Sequence, residues 1–177
     1  MNELGLQRLV LSSVKKKGGF GIKMSNRFLV GIPDLLLQLQ GYPTTIWEAK
    51  KWREPTYGAR VIPKVTPAQW RFLNEFYKHG GICGVIMFLV GNQNLHFGIF
   101  DLPKVKSGVY ANEKDFTILP RGHREDTIFS ILKREHDRYD EYYRTPKEPG
   151  QQPRGLQGNS EDSAVDQGSV AVGAGVA

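Results

Sequence analysis

The chain has 177 residues, 40% hydrophobic and 11% aromatic, which is enough for one domain with its own core and excludes disorder throughout. Its formal charge is +6, yet the stretch from Pro146 onward holds two basic and four acidic residues, so residues 1–145 carry +8 and attract polyanions such as nucleic acid. No apolar run approaches the roughly 18 residues of a membrane span, the start MNELGLQRLV lacks a signal-peptide profile, and the lone Cys83 excludes an intrachain disulfide or a cysteine zinc site. A reducing, cytoplasmic setting without a membrane partner is the expectation.

Residues 2–17 read as a helix with Leu4, Leu9, Leu11 and Val14 as its apolar members. Asn2 caps it, Lys15, Lys16 and Lys17 complement the negative end of its dipole, and Gly18-Gly19 stops it. Phe20 to Val30 read as a short strand or extended arm carrying Lys23 and Arg27. Two apolar strands follow over 32–39 and 44–50, joined by a tight Gly41-Tyr42-Pro43 connection. Residues 51–65, KWREPTYGARVIPKV, read as a loop with Lys51, Arg53, Arg60 and Lys64 as its basic members and Trp52 and Tyr57 as its aromatics.

Residues 66–80, TPAQWRFLNEFYKHG, carry the clearest helical pattern. Thr66 is the N-cap, Pro67 suits the first helical position, and Gln69 completes a capping box. Trp70, Leu73, Phe76 and Tyr77 share one face, and Gly80-Gly81 ends the element. ICGVIMFLV (82–90) and LHFGIFD (95–101) read as a strand hairpin, with Cys83 as small core filler. Residues 104–120 read as loop with a short strand near Phe116–Leu119, and 124–144 as a charged surface helix with Ile128, Phe129, Ile131, Leu132 and Tyr139 as a partial stripe. From Thr145 the composition turns to Pro, Gly, Gln and Ser, and the expectation for 145–177 is a disordered tail. The order is α-β-β-β-α-β with additions, a mixed sheet flanked by helices. Residues 1–101 form the core and 102–144 a loop and helix packed on it.

The chemistry concentrates in GIPDLLLQLQGYPTTIWEAKKW, residues 31–52. Strand side chains alternate, so Glu48 and Lys50 share one face while Trp47 and Ala49 point to the other. Charged residues on an otherwise apolar strand are costly unless they have partners or work. Antiparallel pairing of the two strands brings Asp34 beside Glu48, giving two carboxylates and an ammonium at the edge of a core. A phosphodiester is anionic with a poor leaving group, and its hydrolysis needs an activated water and charge neutralisation. Magnesium or manganese held by one or two carboxylates supplies both. Lys50 can orient the water or stabilise the extra charge of the transition state.

Pro33-Asp34 followed by Glu48-Ala49-Lys50 resembles the PD-(D/E)XK nuclease motif. Gly31-Ile32-Pro33-Asp34-Leu35, Trp47-Glu48-Ala49-Lys50 and Thr66-Pro67-Ala68-Gln69 together resemble its VRR-NUC branch, which is related to Holliday-junction resolvases. The resemblance covers about residues 1–101. It implies a restriction-endonuclease-like αβββαβ core and a Mg²⁺-dependent DNA endonuclease, with Mn²⁺ able to substitute. It also implies branched or otherwise structured DNA as substrate, with a homodimer as one assembly it allows. A phage nuclease of this kind would work in the host cytoplasm. By the same resemblance Asp34 and Glu48 are metal ligands, Lys50 is the catalytic lysine, and the main-chain carbonyl of Ala49 is a further ligand. Gln69 matches a helix glutamine near the site, and Glu3 an acidic residue of the first helix that joins the metal shell. The chain departs from the pattern in a longer loop between Lys50 and Thr66, and residues after 101 have no counterpart.

Each feature has a plainer reading beside the catalytic one. Glu-x-Lys on a strand is often a surface charge pair. Gln69 is accounted for by its capping box, and Glu3 by the helix dipole. Lys15, Lys16 and Lys17 suit a solvated helix end. Arg27, Lys51, Arg53, Arg60 and Lys64 are candidate phosphate contacts, with Trp52 and Tyr57 available for stacking, or members of an ordinary loop. His79, His96, His123 and His136 show no metal or triad spacing. The alternative function is a non-catalytic nucleic-acid-binding module that keeps the nuclease fold; a structural protein with a charged hairpin is a third reading.

Overall fold

The structure is a computed structural model that describes residues 2–24, 30–53, 55–91, 94–112 and 114–144. The expectations for Arg27 and for the tail at 145–177 lie outside the described residues. Helix α1 (Glu3–Lys16) starts where the Asn2 side chain accepts the Gly5 N–H at 2.9 Å, with Glu3 in its first turn and Lys15 and Lys16 in its last. Gly18, at φ +78°, turns the chain back into β1 (Phe20–Lys23). β2 (Leu35–Gln38) and β3 (Thr45–Arg53) form the expected hairpin, although β3 runs three residues further than the sequence suggests. The reason is its other neighbour: β5 (Ile82–Val90) pairs with β3 in parallel from Thr45 to Arg53 and carries it past the point where β2 ends.

Arg60–Val61 form β4, a short strand within the stretch expected to be loop. α2 (Pro67–Lys78) has both halves of the capping box and is the crossover that makes β3 and β5 parallel. β6 (Leu95–Asp101) returns antiparallel to β5. Asp101 then caps a helix the sequence reading treated as loop, α3 (Leu102–Ser107), by accepting the Lys104 N–H at 2.9 Å. β7 (Val109–Tyr110) pairs with β4 in a two-stranded ribbon, β8 (Thr117–Ile118) adds to β6, and α4 spans Arg124–Arg144. The main sheet has the order β1-β2-β3-β5-β6-β8 and is mixed. The α/β architecture and the αβββαβ order of the core are those expected.

Two layers of helices follow from the alternation of side chains. α1 and α4 cover the face that carries Leu35, Leu37, Trp47, Ala49 and Phe88, and α4 contributes the buried Ile128, Ile131 and Leu132 to that core. α2 and α3 cover the other face, where Leu73 and Leu102 meet Ile46 and Cys83. The Cys83 thiol donates to the Leu73 carbonyl at 3.2 Å, and burial pushes its pKa up to about 12, so it stays protonated core filler. No described helix is long and apolar enough to cross a membrane.

Candidate active site

β3 sets the site through its two-residue period. Ile46, Glu48 and Lys50 point to the α2 side, and Glu48 is 1% exposed. The β2–β3 ladder stops at Leu35 opposite Trp47, so the residue before it, Asp34, stands at a strand end where its carboxylate can turn inward. Its Oδ2 accepts the Ala49 N–H at 3.1 Å, in the place a further ladder bond would take. In a strand the N–H and C=O of one residue point to the same side, so the Ala49 carbonyl is directed toward that same edge.

Glu48 is held by one oxygen. Its Oε1 accepts from Lys50 Nζ at 2.5 Å and from Gln69 Nε2 at 2.7 Å. Its Oε2 is buried without a hydrogen-bond partner among the described residues. Burial is the largest influence on this carboxyl and pushes its pKa up to about 7, the Asp34 charge adds to the rise, and Lys50 opposes it. An orphaned carboxylate oxygen in a dry setting is expensive and is not what a merely structural ion pair leaves behind.

Gln69 reconciles the two readings of its role. Its Oε1 accepts from the Thr66 N–H at 2.9 Å, which is the capping box, while its Nε2 reaches Glu48. The cap fixes the rotamer that makes the second contact possible. α2 therefore presents a donor to β3 from a rigid first turn. Gly31, at φ +90°, makes the approach of this turn possible: a Cβ there would lie 2.6 Å from the Ala68 Cβ.

Asp34, Glu48, Ala49, Lys50 and Gln69 thus come together. Glu3 does not join them by any described contact; it is exposed in the first turn of α1, on the other face of the sheet. α1 runs back along β1, with Val14 against Gly19 and Leu11 against Gly21, so its N-terminal half lies toward the Asp34 end. One turn after Glu3 is Gln7, a residue the sequence reading passed over, 4% exposed with its Oε1 buried and unpartnered. A polar residue between the buried Leu6 and Val10 was the available signal.

The basic candidates divide. Lys15, Lys16 and Lys17 lie beside the Gln38 end of β2, away from Asp34, and Lys16 and Lys17 pair with Glu125 (3.4 Å) and Asp126 (2.9 Å) of α4. Lys51, Arg53 and Lys64 are exposed around the far end of β3 and the approach to α2, and Arg60, also exposed, reaches the Ser107 carbonyl at 3.5 Å. Trp52 turns inward against the cluster of Val61, Val85 and Met87, whereas Tyr57 is 73% exposed.

Among the described residues no group of three or more His, Cys, Asp or Glu could hold a metal ion. The donor set is two carboxylates and a carbonyl, which suits a hard cation that keeps several waters and does not suit zinc. No family model and no curated protein sequence matches the chain. Among solved structures it is similar to Hjc, a Holliday junction resolvase from the archaeal hyperthermophile Archaeoglobus fulgidus, with 14% sequence identity, 71% of this chain and 99% of that chain covered, and a TM-score of 0.40.

Proposed function

We propose that the protein is a metal-dependent endonuclease whose site is Asp34, Glu48 and Lys50, with Gln69 as the residue that positions Glu48. The observation that carries the reading is the buried, unpartnered Glu48 Oε2 beside Asp34, on a strand whose next inward residue is a lysine. Asp34, the free oxygen of Glu48 and the Ala49 carbonyl are the groups that would hold Mg²⁺ or Mn²⁺. Such an ion supplies charge neutralisation and a nucleophilic water near neutral pH.

The chain's own residues do the rest. Gln69 and Lys50 both occupy Glu48 Oε1, which leaves Oε2 without a partner in a carboxyl that also feels the Asp34 charge. Lys50, with 17% side-chain exposure, lies between Glu48 and solvent, where its ammonium can meet a phosphate oxygen and stabilise the charge gained in the transition state. Branched or structured DNA as the substrate rests on the motif resemblance, as does a homodimeric assembly, while action in the cytoplasm rests on the lone cysteine.

The test is a cleavage panel of linear duplex, single strand, flap and four-way junction, in Mg²⁺, Mn²⁺ and EDTA. The expected result is metal-dependent cleavage that is lost in Asp34→Asn and Glu48→Gln. Binding with no cleavage of any substrate, and no rise in Tm with Mn²⁺, would instead identify the non-catalytic binding module.

A further inference from the structure

Beside the carboxylate site runs a groove of about 560 Å³ along α2, within the range of small-ligand sites. It shares a wall with the site: Gly31 lies three residues before Asp34, and Ala68 immediately precedes Gln69. Its floor is aromatic. Phe72 and Phe76 stack with centroids 6.5 Å apart and planes 15° from parallel, and Val30, 88% exposed, lines the same groove. The charges at its rim are unequal. Glu75 is occupied by Lys78 at 2.8 Å, which holds its carboxyl below the usual range. Arg71 has no ion pair among the described residues. In the polar cavity between β6 and α4 the cations are instead largely paired, Lys104 with Asp115 and Arg138 with Asp101 and Glu135.

We infer that this groove receives an unpaired nucleotide of the substrate, its base against Phe72 and Phe76 and its phosphate at Arg71, so that the protein favours DNA with unstacked bases next to the cut. The inference deepens the nuclease reading and rests on it for the word substrate. An aromatic floor beside a cation that has no ion pair among the described residues is the combination that single-stranded nucleic acid uses, because every base has a face to stack. A second copy of the chain is the other candidate occupant. A standard interface, however, recruits roughly 20–30 residues a side, and the groove is lined by eight. A paired duplex cannot offer a base face to it at all.

The experiment uses the full chain in EDTA, where no cleavage competes. A single strand carrying 5-iodouracil is bound, irradiated and digested with trypsin, which cuts after Arg71 and Lys78. The expected crosslink falls in the peptide Phe72–Lys78. By anisotropy, Arg71→Ala and Phe72→Leu should each weaken single-strand binding by about tenfold and duplex binding by less than twofold, with circular dichroism confirming the fold. Crosslinks confined to other peptides, or equal losses on both substrates, overturn the proposal. So does a parent dimer that Val30→Asp converts to monomer, since the groove would then be an interface between copies. None of these readouts needs catalysis, so failure to cut DNA and failure to seat a base are separate results.

Discussion

Two buried polar clusters lie back to back on β3 and are finished to different degrees. On the α1–α4 face, Trp47 Nε1 donates to the Thr45 hydroxyl at 2.8 Å, and that hydroxyl lies 3.2 Å from the Leu37 carbonyl and 3.3 Å from His136 Nε2. His136 Nδ1 is 2.7 Å from the Leu132 carbonyl, which assigns the ring proton to that nitrogen. Burial lowers the His136 pKa, so the ring is neutral, and its Nε2 shares the single Thr45 hydroxyl proton with the Leu37 carbonyl. On the α2 face, one to three residues further along the same strand, Glu48 keeps a free oxygen. Both clusters carry the desolvation cost of polar groups in a core, and one of them recovers it. The difference separates a network satisfied within the fold from one that keeps an unpartnered oxygen, the feature on which the proposed metal site rests.

The sharpest way to break the comparison is at the site. Lys50→Ala should lower metal-dependent cleavage by about 10²–10⁴-fold in single-turnover assays while leaving Tm near that of the parent. Next comes the finished cluster: His136→Ala removes a buried partner of Thr45 and opens a cavity, and should cost about 2–4 kcal/mol in urea unfolding without altering the response to Mn²⁺.

The two clusters also tilt stability with pH in opposite senses. Glu48 has a folded pKa of about 7 against about 4.5 unfolded, so its contribution is full below pH 4.5 and lost as pH rises through 7. Glu48→Gln should therefore melt higher than the parent above pH 7 in EDTA, by at most about 3 kcal/mol, with the gap closing at pH 5. His136 is shifted the other way; its contribution is present above about pH 6.5 and lost as pH falls toward its lowered folded value. His136→Gln should flatten that acid limb. The smallest effect concerns the residue that serves cap and site together. Thr66→Ala and Gln69→Ala should each lose about 1 kcal/mol of stability, and only Gln69→Ala should also slow cleavage.

The hairpin was legible because its features are local. The Asp34 strand end, the Glu48–Lys50 alternation and the Gly41 turn (φ +83°) all follow from neighbours in sequence. The capping box of α2 was equally plain, but its reach to Glu48 was not, since that depends on a crossover packing 21 residues apart. α3 was missed because a Pro103 within six residues reads as loop until Asp101 is seen to cap it. β4 and β7 were missed because two-residue strands exist only through each other, 48 residues apart at Val61 and Val109. His136 carried no signal, because its partners Thr45 and Leu132 come from β3 and from its own helix.

The join between α1 and α4 has a consequence for synthesis. Ser12 donates its hydroxyl to Glu125, 113 residues later in the chain, and Ser13 donates to the Glu125 carbonyl. Leu132, on the same helix, closes over the core that includes Trp47 and Ala49. Ribosomes add about 5–20 residues per second, so the β2–β3 hairpin emerges about 4–16 s before α4, which completes with α1 the cover of its back. During that interval the part of its apolar side that α4 covers is open to solvent and to chaperones. A version cut at Asp101, where the motif-bearing half ends, would keep the hairpin and α1 and leave the part of that side under α4 permanently uncovered.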